Sequence, residues 1–114
     1  MIVRVWRGWT TKDNAGTYER LLNGTIAPGI MRRGIAGLRD LSVLRKAGSD
    51  DAGVETDEVE FLTIMTFDDW AAVEEFAGPD SSASVVPPAA RAVLARFDAH
   101  SQHYEVLERH LPAG

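Results

Sequence analysis

Apolar side chains fall in two different rhythms along the chain. Residues 2–9 (IVRVWRGW) are rich in β-branched and aromatic types, which suit a pleated surface, and they predict a first strand. Thr10, Thr11, Asp13 and Asn14 then offer several side chains able to cap a helix. Behind them Ala15, Tyr18, Leu22 and Ile26 recur at the spacing of one helical face, with Glu19 and Arg20 on the other side. Gly16 and Gly24 weaken that helix, Pro28-Gly29 is expected to kink or restart it, and Gly34 and Gly37 close it. Residues 38–46 predict a second strand with Leu41 and Val43 on one face. The acidic, aperiodic stretch 47–57 (AGSDDAGVETD) predicts an exposed hairpin loop. Residues 58–67 (EVEFLTIMTF) give the clearest strand pattern, running directly into Asp68-Asp69-Trp70. There Thr66 and Asp69 stand at capping-box spacing, and Asp68 is another candidate cap. The helix that follows carries Trp70, Val73 and Ala77 in one stripe with Phe76 beside it. After a loop at 78–84, Pro87-Pro88 can open a short helix with Ala90, Val93 and Leu94 on its buried side. Residues 98–108 then predict a fourth strand, with Tyr104 and Val106 on one face.

The order is β-α-β, a hairpin, then β-α-β again. Right-handed crossovers turn two such units into a four-stranded antiparallel sheet with both helices on one face, a ferredoxin-like α+β fold in a single domain spanning 1–114. The sheet face opposite the helices should then be polar, and it is not. In the third strand Val59, Phe61, Met65 and Phe67 share one face while Leu62 and Ile64 hold the centre of the other; in the first, Val3, Val5 and Trp9 oppose Ile2 and Trp6. A strand apolar on both faces is covered on both faces, and the chain has no third layer to provide cover, so a second copy of the chain is expected to do so.

Bulk composition narrows the function classes. The 114 residues are 45% hydrophobic and 25% charged, a globular composition. The net charge of −5 gives no electrostatic footprint for nucleic acid or an anionic membrane. The absence of cysteine removes thiolate nucleophiles, redox pairs and Cys-type zinc sites, and it fits a reducing cytoplasm. Charges interrupt the apolar stretch from Met1 to Arg7, so a secretory signal is not expected there, and no apolar run approaches membrane-spanning length. A soluble cytoplasmic protein is the expectation.

Nucleotide-binding glycine motifs and the nucleophile-elbow motif are absent. On an extended strand His100 and His103 point to opposite faces, so a shared metal is not expected, and His110 falls in the polar tail. Adjacent Glu74 and Glu75 read as a solvated helix face. What stands out is the aromatic set, with three tryptophans (Trp6, Trp9, Trp70) among it. Such residues either pack the core or wall an apolar pocket between sheet and helices, wide enough for a planar organic molecule. Arg4 and Arg7 are either exposed strand residues, or one of them turns inward to bind an anionic oxygen. His100 and His103 are either surface residues of a polar strand or a general base.

The first strand ending near Trp9-Thr10-Thr11, the passage V-E-F-L-T-I-M-T-F-D-D-W at 59–70 and the closing strand H-Y-E-V-L at 103–107 resemble the antibiotic biosynthesis monooxygenase family. The resemblance spans nearly the whole chain and rests on strand and helix patterning. It implies a dimeric α/β barrel, in which two ferredoxin-like sheets pack face to face. It also implies cofactor-free oxidation of a phenolic, quinol or polyketide-type aromatic by molecular oxygen. A base removes a proton, the electron-rich anion reduces oxygen, and the protein supplies the base, oxyanion donors and a dry pocket. Carried onto this chain, His103 or His100 would be the base, Arg7 and Tyr104 donors, and Trp6, Trp9 and Trp70 walls. A haem-degrading branch of the fold wants a histidine on or just after the second helix; none lies between Trp70 and His100, and Trp6 stands roughly where that branch has asparagine. The alternative class is a non-catalytic small-ligand-binding or stress-associated dimer on the same barrel. The two classes separate on whether a histidine faces the apolar pocket.

Overall fold

The two strongest strand patterns lie side by side at the centre of the sheet. In the computed structural model, which describes residues 1–46 and 48–114, β1 (Ile2–Thr11) and β3 (Glu58–Phe67) pair antiparallel along their full length, Ile2 opposite Phe67 and Thr11 opposite Glu58. Outside β3 lies β2 (Leu38–Lys46), antiparallel to it, with a bulge between Leu38 and Asp40. The far side of β1 takes two short pieces: β4 (Arg96–Phe97) against Gly8 and Trp9, and β5 (Gln102–Glu105) against residues 2–5. The resulting order β2-β3-β1-β4, with β5 beside β4 along the same edge, is the antiparallel ferredoxin-like arrangement. The loop expected at 47–57 holds a small turn, in which Asp50 Oδ1 accepts from the backbone N–H of Ala52 and Val54, both at 2.9 Å; Ala47 lies outside the described residues.

The single fourth strand expected over 98–108 is not formed. Asp98 N–H still donates to Arg7 O of β1 at 2.9 Å, but residues 99–101 leave the ladder because another segment satisfies their backbone. Ser84 N–H donates to Ala99 O at 3.0 Å, Ser101 N–H donates to Ser82 O at 2.8 Å, and Ala83 bridges His100. Strand geometry also ends at Glu105 rather than 108, with one further bond from Val106 N–H to Met1 O.

The first helical region runs through α1 (Lys12–Leu21), a π-helical turn (Leu22–Ile26) and α2 (Ala27–Arg32). Thr11 caps its start, its side chain accepting from Asn14 N–H at 3.3 Å. Pro28 explains the turn in the middle. In a regular α-helix its ring would press on the carbonyl of residue 24; widening the helix moves that carbonyl away, and Ala27 N–H reaches back five residues to Leu22 O instead. The break expected at Pro28 is therefore a local bulge, and the helix continues.

Helix α3 (Trp70–Ala77) is capped by Asp69, whose side chain accepts from Ala72 N–H at 3.0 Å. Thr66 is buried in β3, and Asp68 pairs with Arg39, so neither serves as the cap. The buried stripe is Ala72, Val73 and Phe76, not the one headed by Trp70. With Asp69 as cap, Trp70 is the first helical residue and lies off the face turned to the sheet; it is 43% exposed. A last helix, α4 (Pro88–Val93), buries Ala90.

Strand alternation divides the sheet cleanly. Ile2, Arg4 and Trp6 of β1 lie on the helix side with Val59, Phe61, Met65 and Phe67 of β3 and Leu41 and Val43 of β2. Two apolar clusters form there, one around Phe67, Val73 and Phe76 and the other around Tyr18, Phe61 and Ala90. Fully burying a side chain such as Phe61 or Val73 contributes about 1.5–3 kcal/mol. On the opposite side Val3, Val5, Leu62, Ile64, Leu44 and Tyr104 form an apolar strip that no helix of the described residues covers. No helix among the described residues is long and apolar enough to cross a membrane.

Candidate functional site

Between the two apolar clusters the helices stand off the sheet and leave a cavity. Its walls include Trp6 and Met65 from the sheet, Tyr18, Leu22, Ile26 and Ile30 from the first helical region, Phe76 from α3 and Val86 near α4. The space free of protein atoms here, including the mouth, is about 540 Å³, and it forms a slot between sheet and helices. The π-turn contributes Leu22 and Ile26 to it, so the bulge forced by Pro28 shapes one wall.

Trp6 is held firmly. Its indole N–H is shared between Asp98 O at 2.8 Å and Ser84 Oγ at 2.9 Å, and its ring lies 6.0 Å from that of Phe97. Gly8 makes room for the ring: a Cβ there would stand 2.9 Å from the nearest indole carbon. Across the cavity the Tyr18 ring meets Phe61 edge-on at 4.9 Å. Burial pushes its hydroxyl up to about 12, so it stays protonated at neutral pH.

The polar end of the slot is Arg4, which is only 3% exposed. Parity on β1 turns it inward with Ile2 and Trp6. No carboxylate lies within ion-pair distance among the described residues. Instead Nη1 donates to Ser81 O and to His103 Nε2 at 3.0 Å, Nη2 donates to Ala83 O at 2.9 Å, and the guanidinium lies 5.3 Å from the Phe76 ring centre. Burial pulls its pKa down, yet a guanidinium stays charged at neutral pH. Ser101, 4% exposed, also lines the cavity, and its hydroxyl has no hydrogen-bond partner among the described residues.

The residues expected to form one site fall into three groups. Trp6 alone of them lines the cavity. His103 sits one shell behind, half-buried between Arg4 and Trp70, whose ring centre is 5.2 Å away. Since Arg4 can only donate, His103 Nε2 accepts and the ring is neutral; burial first, and then the Arg4 charge, hold its pKa below the ordinary histidine value. Trp70 is exposed and does not wall the cavity. Arg7, His100 and Tyr104 gather instead on the open sheet face, around a shallow depression with Val5 and Gln102. Arg7 is the outward arginine, bonded to Asp98 at 3.2 Å, and Trp9, on the same open face, lies under the guanidinium of Arg96 at 3.7 Å. Neither histidine is among the residues lining the cavity. Sequence reasoning chose Arg7 over Arg4 and passed over Ser101; the shared parity of Arg4 with Ile2 and Trp6 was the available signal for the first, and nothing marked the second. Among the described residues no group of three or more His, Asp and Glu could hold a metal ion.

Comparison with known proteins gives a fold class. No family model matches the chain, and no curated protein matches it. Solved structures do. A Bacillus cereus protein described as a candidate antibiotic biosynthesis monooxygenase aligns over 99% of this chain and 97% of its own, with a TM-score of 0.63 and 16% identity. An ethyl tert-butyl ether D family protein of Bacillus halodurans aligns over 94% of this chain and all of its own, with a TM-score of 0.54 and 18% identity. Rv0793 of Mycobacterium tuberculosis aligns over 95% of this chain and 96% of its own, with a TM-score of 0.53 and 17% identity. At these identities the likeness is one of fold. The chain has a ferredoxin-like α+β fold, shared with these structures.

Proposed function

We propose that residues 1–114 form one monooxygenase-like domain that admits a phenolic, quinol or polyketide-type aromatic to the slot beneath the helices and oxidises it with molecular oxygen, without a cofactor. The observation that carries this reading is the pairing, in one apolar cavity, of aromatic walls at Trp6, Tyr18 and Phe76 with a single buried cation, Arg4. An apolar slot favours a flat ring. The buried guanidinium stabilises the anion that forms when the ring's hydroxyl or activated methylene loses its proton, and that anion is the species able to reduce oxygen. His103 is the residue near enough to serve as base, provided its Nε2 exchanges Arg4 for the substrate. Two sheets packing on the open face, with Val5, Leu62 and Ile64 at the centre, would give a dimeric barrel.

A second reading, a non-catalytic small-ligand binder, is favoured by the position of both histidines outside the cavity lining. Oxygen uptake by the metal-free protein against hydroquinones, anthrones and naphthols separates the two. Uptake that His103→Ala removes and His100→Ala preserves is the expected result. Uptake no faster than the uncatalysed rate across the panel would favour the binder.

A further inference from the structure

We propose that Arg4 and Ser101 form an anion-binding corner that anchors the carboxylate of an aromatic acid in the slot. The inference rests on reading the cavity as a ligand site; it does not depend on oxygen chemistry.

A buried guanidinium without a carboxylate is costly unless something else meets its charge. The protein meets only part of it. Arg4 has five N–H donors, and three contacts are made: two from Nη1 and one from Nη2. Nε–H and the second Nη2–H are left without a partner among the described residues. Nε and Nη2 share one edge of the guanidinium, the kind of edge that holds a carboxylate by two parallel bonds. Ser101 adds a third donor to the same cavity, with its buried hydroxyl unpartnered.

The two residues are also fixed relative to each other. Arg4 donates to the carbonyls of Ser81 and Ala83, while Ser101 N–H donates to the carbonyl between them, that of Ser82. One short backbone segment therefore registers the strand carrying Arg4 against the strand end carrying Ser101. This accounts for the interruption between β4 and β5: the residues that leave the ladder are the ones that bring Ser101 to the cavity. Three donors suit the two oxygens of a carboxylate better than the single oxygen of a phenol. The rest of the lining is mostly apolar, with hydroxyls only at Tyr18 and Thr63, and suits an apolar body. An aromatic monocarboxylate satisfies both ends.

The test is calorimetric titration of the full chain with benzoate and naphthoate, each beside its neutral amide. The acids are expected to bind at least about tenfold tighter than the amides, the scale of a charge-assisted hydrogen bond. Arg4→Met is expected to erase that preference. Because Arg4 also holds the 81–83 segment, Ser101→Ala is the safer variant: its hydroxyl holds no other group among the described residues, and its loss is expected to weaken acid binding about tenfold and amide binding by less. Equal binding of acid and amide, failure of both acids to bind, or an unaffected Ser101→Ala variant would overturn the proposal. Acid binding without oxygen uptake would count against the oxygenase reading alone; oxygen uptake without acid preference would count against the anchor alone.

Discussion

Replacing Gly8 by alanine adds one methyl group at the most crowded point of β1. The new Cβ would stand 2.9 and 3.2 Å from two carbons of the Trp6 ring and 3.0 Å from Leu94 Cδ2. Leu94 can swing away, since the contact is with the end of its side chain. Trp6 cannot do so without losing the hydrogen bonds of its indole N–H to Asp98 and Ser84. The backbone cannot retreat either, because Gly8 is paired with Phe61 on one side and Phe97 on the other. Forcing a methyl group into such a site costs about 1–3 kcal/mol, against which alanine regains about 0.5–1 kcal/mol of the entropy that glycine loses in a strand. A net loss of about 1–2 kcal/mol follows, which for a chain of this size lowers Tm by roughly 4–8 °C. Urea unfolding followed by far-UV circular dichroism measures it, with the slope against denaturant unchanged. In a Trp6→Phe background the smaller ring leaves room, so the same substitution should cost less by at least about 0.5 kcal/mol. A Gly8→Ala chain as stable as the parent, or an equal cost in both backgrounds, would refute the argument.

Other outcomes follow from the same contacts. His103 is held neutral by burial and by Arg4, so the stability it confers is present above its ordinary value of about 6.5 and lost as pH falls. The parent should therefore lose more stability than His103→Gln between about pH 7 and pH 5, as urea midpoints would show; equal losses would contradict the assignment. Tyr18 titrates at about 12 against an ordinary 10.0, so alkaline difference spectra of the folded protein should show a tyrosine ionising only in that range. Stability should fall as pH rises from about 10 to about 12, and ionisation of Tyr18 near 10.0 would be inconsistent with its burial. Ile64→Asp, at the centre of the open face opposite Val5, is expected to yield monomers in light scattering at micromolar concentration. A parent chain that is itself monomeric there would remove the basis for the barrel.

The central strands were legible because their signals are redundant. Residues 58–67, in β3, combine β-branched composition with alternation and match the observed bounds, as do residues 38–46 of the edge strand β2, where the alternation of Leu41 and Val43 is the signal. The faces of β1 and β3 followed from parity alone. The last strand was misread because its break has no local cause: residues 99–101 are drawn off by a loop 15 to 19 positions earlier, a pairing no short window of sequence contains. Pro28-Gly29 was expected to kink or restart the helix, and the irregularity is there, but its form, a π-turn just before the proline, is not specified by composition. Trp70 was placed in the core on apolarity, whereas the position of its cap, one residue earlier, decides which way it faces. The candidate site was least legible. Arg4 and Arg7 look alike in sequence, and only the facing of β1 separates the inward cation from the outward one.

The interruption between β4 and β5 also bears on how copies of this chain can meet. One margin of the sheet is divided into a two-residue and a four-residue piece, and the other, β2, is bent by its bulge and studded with Arg39, Asp40, Arg45 and Lys46. The β4–β5 margin offers a neighbouring chain only short rows of free N–H and C=O groups, and along β2 the charges at Asp40, Arg45 and Lys46 disfavour strand-by-strand addition. The apolar strip lies on a face, where in the proposed barrel one partner would cover it and leave nothing for a third. The stickiest surface is thus placed where association would stop at a pair, and the open-ended margins are short, charged or bent.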